Sequence, residues 1–121
     1  MAAQEPRIDG GQVDVAPLLG TWVNSNADTE WIRRFVLARR GAGFVLSAEA
    51  AAPPHDWGEV EISTYTDNIG ELAFLAIYDR PGLHSVLAAN TNKGLVVIAG
   101  FHRAKDGSRP GFLCREFYYR E

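Results

Sequence analysis

Beyond residue 17 the chain alternates apolar and polar positions in short stretches, and each stretch breaks at glycine, proline or asparagine. Val60, Ile62, Thr64 and Thr66 fall on one side of an extended chain, with Glu59, Glu61, Ser63 and Tyr65 on the other. A period of two is that of a strand packed on one face. Strands are predicted at Leu18–Asn24, Glu30–Arg40, Phe44–Ala51, Gly58–Asp67, Leu72–Asp79, His84–Asn90, Leu95–Arg103 and Phe112–Arg120. Between them stand turn-forming clusters such as Gly41-Ala42-Gly43, Asn68-Ile69-Gly70, Arg80-Pro81-Gly82 and Asn92-Lys93-Gly94, short enough to join antiparallel neighbours. The pattern predicts an all-β chain: a single eight-stranded antiparallel up-and-down barrel, which leaves no sheet edge exposed.

One stretch admits a second reading. In Thr29–Gly41, Trp31, Phe35 and Ala38 also share a helix face, and a helix there would make the fold α+β. The Val, Phe, Ile and Trp content and the glycine turn that follows favour a strand. Residues 1–16, with Glu5, Pro6, Asp9, Gly10, Gly11 and Asp14, read as a flexible N-terminal leader to a domain over residues 17–121. In LAFLAIYD and GLVVIAGF both faces are mostly apolar, so part of the outer wall is expected to be covered, by the leader or by a second copy in a homodimer.

Gly20-Thr21-Trp22 at the start of the first strand, the eight strands with short turns, and a late arginine-bearing strand together resemble the calycin group of lipocalins, cytosolic fatty-acid-binding proteins and avidin-like barrels. In lipocalin-like barrels the matching Gly and Trp close one end, and an Arg of the last strand packs across the Trp. The resemblance implies that Gly20 and Trp22 form the closure and that Arg115 or Arg120 covers it. The chain is shorter than a typical lipocalin and lacks its disulfide pattern and the Trp-rich biotin site of avidins. A distinct bacterial-type intracellular family of the same architecture fits better.

Composition narrows the function classes. A chain of 121 residues with 46% hydrophobic content supports one domain with a real core. The net charge of -3 gives no general attraction to nucleic acid or to an anionic membrane. Arg33, Arg34, Arg39 and Arg40 fall on both faces of their strand rather than in one stripe. No apolar run approaches the roughly 20 residues of a membrane-spanning helix. The N-terminus does not resemble a secretory signal, so the expected location is cytoplasmic. Cys114, the single cysteine, reads as a structural thiol. His55, His84 and His102 form no short multi-ligand signature, so neither a metal nor another cofactor is expected.

The polar residues of the strands are the candidates for chemistry. Arg33, Glu59, Glu61, Tyr65, Tyr78, His84, Glu116 and Tyr118, with His102, can orient a ligand if they face the lumen. Arg33 suits an acidic group, the carboxylates an amine or hydroxyl, and the tyrosines an oxygen. Glu59 and Glu61 share a strand face, the spacing at which one carboxylate can raise the pKa of the other. His84 with Glu116 is a second acid–base pairing. His55-Asp56-Trp57 after Pro53-Pro54 reads as a strand cap, with Trp57 closing an edge or touching a ligand at the mouth.

Three functions follow. The first is binding of a small apolar or amphipathic molecule in the lumen, without chemistry. The second is a cyclase or isomerase that encloses a hydrophobic metabolite, resembling allene oxide cyclases, with Glu59 or Glu61 as acid/base and Tyr78 or Tyr118 at the developing oxygen charge. The third is a structural or protein-interaction barrel.

Overall fold

In the computed structural model, which describes residues 12–121, the chain forms a calycin-like, all-β closed barrel of eight antiparallel strands in sequence order, a lipocalin-like topology. The strands are β1 (Gly20–Asn24), β2 (Ile32–Arg40), β3 (Gly43–Ala50), β4 (Asp56–Thr66), β5 (Leu72–Asp79), β6 (Leu83–Asn92), β7 (Leu95–Ala104) and β8 (Phe112–Arg120). β8 returns to β1 with Trp22 opposite Arg120, which completes the wall. The helical alternative for Thr29–Gly41 gives way to β2, whose Ile32, Phe35 and Leu37 are buried. The first strand begins at Gly20 rather than Leu18, because Ala16–Leu18 forms a 3-10 turn around Pro17.

Residues 1–11 of the expected leader lie outside the described residues. The remainder, Gln12–Ala16, lies against the barrel. Val13 and Val15 are buried, the Val13 N–H donates to the Thr64 hydroxyl at 2.8 Å, and the Thr64 N–H donates to Gln12 Oε1 at 3.0 Å.

At the end that these residues cover, Trp22 and Arg120 pack together. Trp22 is buried and its indole N–H donates to the Leu18 carbonyl at 2.9 Å. The Arg120 guanidinium lies 4.4 Å from the Trp22 ring centroid and donates to the carbonyls of Leu19 and Pro17. Arg115 packs instead on Phe117, on the outer wall. Gly20 has φ +122°, and a Cβ there would stand 3.2 Å from Arg120 Nη1. Both conformation and space therefore favour glycine.

Above this plug, Phe35 meets Trp22, Phe74 and Tyr118 at centroid separations of 6.4, 6.2 and 5.1 Å. With Leu37, Phe44, Leu46 and Val96, these rings fill the closed half of the lumen. The opposite end is shaped by irregularities between β2 and β3 at Ile32/Arg34, and between β3 and β4 at Ser47/Glu49. Bulges of this kind bend a wall locally. Outside, Ile77, Val86, Phe101 and Leu113 stand opposite one another across β5 to β8 and form an apolar row in which Ile77, Phe101 and Leu113 are exposed.

Candidate functional site

The up-and-down order brings the β1–β2, β3–β4, β5–β6 and β7–β8 connections to the unplugged end. A cleft of about 850 Å³ opens there between the first three, lined by Trp31, Pro53, Pro54, Trp57, Arg80 and Leu83 among others. Its walls are mostly carbon, and Glu30 and Arg80 are its two charged residues. Trp57 is almost fully buried, with its ring edge-on to Tyr78 at 5.4 Å. The Arg80 guanidinium covers the Trp57 ring at 3.9 Å.

Trp31 separates this cleft from a small inner chamber. Its indole stacks on the His102 imidazole at 4.6 Å and 12° and leans on Phe112. The space beneath, about 10 Å³, is bounded by Trp31, His102, Cys114, Glu116 and Tyr118. His102 is 3% exposed. Its Nδ1 lies 2.8 Å from Ser85 Oγ and its Nε2 lies 3.3 Å from Cys114 Sγ. Burial, reinforced by the charges of Arg80 and Arg109, pulls the His102 pKa down to about 4. A neutral imidazole therefore links the two side chains, donating through one nitrogen and accepting through the other. Burial, with the neighbouring Glu116, pushes the Cys114 thiol up to about 11, so it is a protonated thiol rather than a poised nucleophile. Space for the imidazole comes from Gly100, where a Cβ would stand 2.7 Å from His102 Nε2.

Three of the eight polar candidates face inward. Tyr78 is buried and its hydroxyl ties β5 to β4 and, across β4, to β3, receiving the Ala48 N–H at 3.1 Å and lying 2.7 Å from the Gly58 carbonyl. Burial raises its pKa to about 12. Tyr118 donates to the Ile32 carbonyl at 2.7 Å, and burial and Glu116 raise its pKa. Glu116 accepts from the Thr29 hydroxyl at 2.9 Å.

The other five stand on the outer wall. Arg33 pairs with Glu49, and Glu59 with Arg40. Glu61 and Tyr65 are exposed on the same outward face of β4. His84 lies 3.4 Å from Asp79 outside the barrel, so the wall separates it from Glu116 and the proposed acid–base pairing does not form. The Glu59–Glu61 pairing is an outward one, with Glu59 held by Arg40. Among the described residues, no group of three or more His, Cys, Asp or Glu side chains is gathered at a metal-ligating spacing.

The sequence reading missed Trp31 as the partition, Arg80 at the rim, and Ser85 and Cys114 as partners of His102. Trp57 at the mouth it anticipated. Strand parity was the unused signal, since the connections before β2, β4 and β6 must share an end and bring Trp31, Trp57 and Arg80 together. Comparison with protein-family models, curated proteins and solved structures finds no match to this chain.

Proposed function

We propose that the protein binds a small apolar or amphipathic molecule at the open end of the barrel, without chemistry. The observation that carries this reading is the cleft of about 850 Å³ between Trp31, Pro53, Pro54, Trp57 and Leu83. That volume lies in the range of small-molecule sites, and such sites pair carbon walls with few polar groups. The packed closed half moves the bound molecule from the deep lumen to the mouth, with Trp57 as a wall and Trp31 as a floor.

The cyclase or isomerase alternative relied on Glu59 or Glu61, and both project away from the lumen. Its two tyrosines spend their hydroxyls on backbone groups. Binding alone makes no demand on those four residues.

Native mass spectrometry of protein purified gently from its own cells tests the reading. The wild type is expected to carry reproducible extra mass, and A51W, which fills the cleft, to lose it. A clean polypeptide mass in the wild type, or equal retention by A51W, counts against the cleft. The homodimer is a separate proposal supported by the outer row Ile77, Val86, Phe101 and Leu113. Sedimentation over a concentration series is expected to show a dimer, and a monomer throughout removes the proposal.

A further inference from the structure

Arg80 is the cation of the cleft. It opens the β5–β6 turn Arg80-Pro81-Gly82, and its Nε is buried without a hydrogen-bond partner among the described residues. The ion pairs of the described residues also leave it out. The neighbouring Asp79 carboxylate is taken by Lys105 and His84, and Glu30, the acidic residue of the cleft, is exposed on a different connection. Stacking on Trp57 satisfies the face of the guanidinium but not its edge. The N–H donors lie along that edge in a rigid fork, and a fork of this shape matches a carboxylate or a sulfonate.

Burial also has a direct effect here. Partial removal from water lowers the Arg80 pKa, and the nearby Tyr78 opposes this only in part. A counterion at the guanidinium edge would reverse that cost. A guanidinium with no ion-pair partner among the described residues, at a carbon-walled cleft, is therefore a place where an anionic group gains more than it would on the open surface, because the surrounding medium screens it less.

We propose that the cleft selects organic anions: a small molecule with an aromatic or aliphatic body and one acidic group, the acid against Arg80 and the body over Trp57, Trp31 and Leu83. This rests on the cleft being a binding site and adds the charge class of its ligand. Trp57 serves two purposes in it. It holds the guanidinium in place through its face, and it offers the ligand an apolar wall beside the charge.

A pair of probes that share one skeleton separates the two claims. N-phenyl-1-naphthylamine is neutral, and 8-anilinonaphthalene-1-sulfonate is the same ring system with a sulfonate. Both brighten in apolar surroundings, so fluorescence titration reads each against wild type, R80M and R80K. A charge-assisted hydrogen bond of ordinary strength predicts that R80M weakens the sulfonate about tenfold or more. The neutral probe should stay within about twofold, a change too small for a lost charged contact. R80K, which keeps the charge without the fork, is expected to fall between.

If both probes bind and R80M weakens neither, the cleft reading stands and selection of anions is overturned. If R80M weakens both equally, Arg80 is a prop for Trp57 and the proposal is again overturned. If neither probe binds the wild type, the cleft itself fails as a binding site and the proposal falls with it. Thermal melts of the three proteins accompany the titrations, and the R80K result carries the test if R80M melts early.

Discussion

W22A is expected to lose about 3–5 kcal/mol of folding stability in urea titrations, the range for deleting a buried tryptophan. Three attachments end together. The indole leaves a buried site beside Phe35, the Leu18 carbonyl loses its donor, and the Arg120 guanidinium loses the ring beneath it. Native domains are stable by about 5–15 kcal/mol in all, so this one change removes a large share. W22F keeps a ring but not the indole N–H, and is expected to cost about 1–2 kcal/mol through the hydrogen bond and part of the packing. A loss under about 0.5 kcal/mol in W22A, within the range of an ordinary surface substitution, would show that the plug does not hold the closed end.

Acid is the second strong lever. His102 titrates near 6.5 in an unfolded chain and near 4 in the folded one. Its stabilising share is complete above about pH 6.5. As the pH falls below that, the unfolded chain takes up a proton that the folded chain refuses, and stability drains away until about pH 4, below which both forms carry the proton. The gap is worth about 3 kcal/mol by linkage, and with the ring out of water little is lost to screening.

Arg80 and Arg109 act on the ring in the same direction as burial. Cys114 stays protonated across the window, and Glu116 faces the same chamber. The carboxylates of the whole chain add a slope of their own, so the comparison is with H102Q, which shares them. The wild type is expected to lose about 3 kcal/mol more than H102Q between pH 7 and pH 4 in urea midpoints. Parallel pH profiles would mean that His102 is as free to take a proton folded as unfolded.

The fold was legible because its signals are local. Period-two alternation in Glu59–Thr66, glycine turns at Gly41 and Gly94, and the opening Gly20-Thr21-Trp22 each bear on the backbone where they stand. The strand reading of Thr29–Gly41 rested on β-branched and aromatic content, and closure of the barrel upheld it. The site was less legible because alternation fixes which residues share a face, not which face is inside. Glu59, Glu61 and Tyr65 share a side with nothing local to mark it as the outer one, while Ile62 and Thr64 on the other side are buried. His84 differs from Ser85 by one position, and that step takes a side chain through the wall.

Residues at the strand ends pose a different problem. Trp31 and Arg80 are 49 positions apart by number and meet the same cleft because three connections share an end. Cys114 lies against the His102 imidazole. Its partner, His102, could be found only from the pairing of β6 with β7 and of β7 with β8.

The seam between β1 and β8 sets the order of events as the chain is made. Trp22 emerges early and Arg120 almost a hundred residues later, so during synthesis the first strand waits with one side unpaired while each new strand adds a fresh margin. Contacts so distant form slowly, because the intervening loop must close before they reward it. Until the eighth strand arrives, the nascent sheet carries two open margins of backbone donors and acceptors, the form in which strands pair with strangers. The arginine that seals the tryptophan is thus also the residue whose arrival ends that exposure.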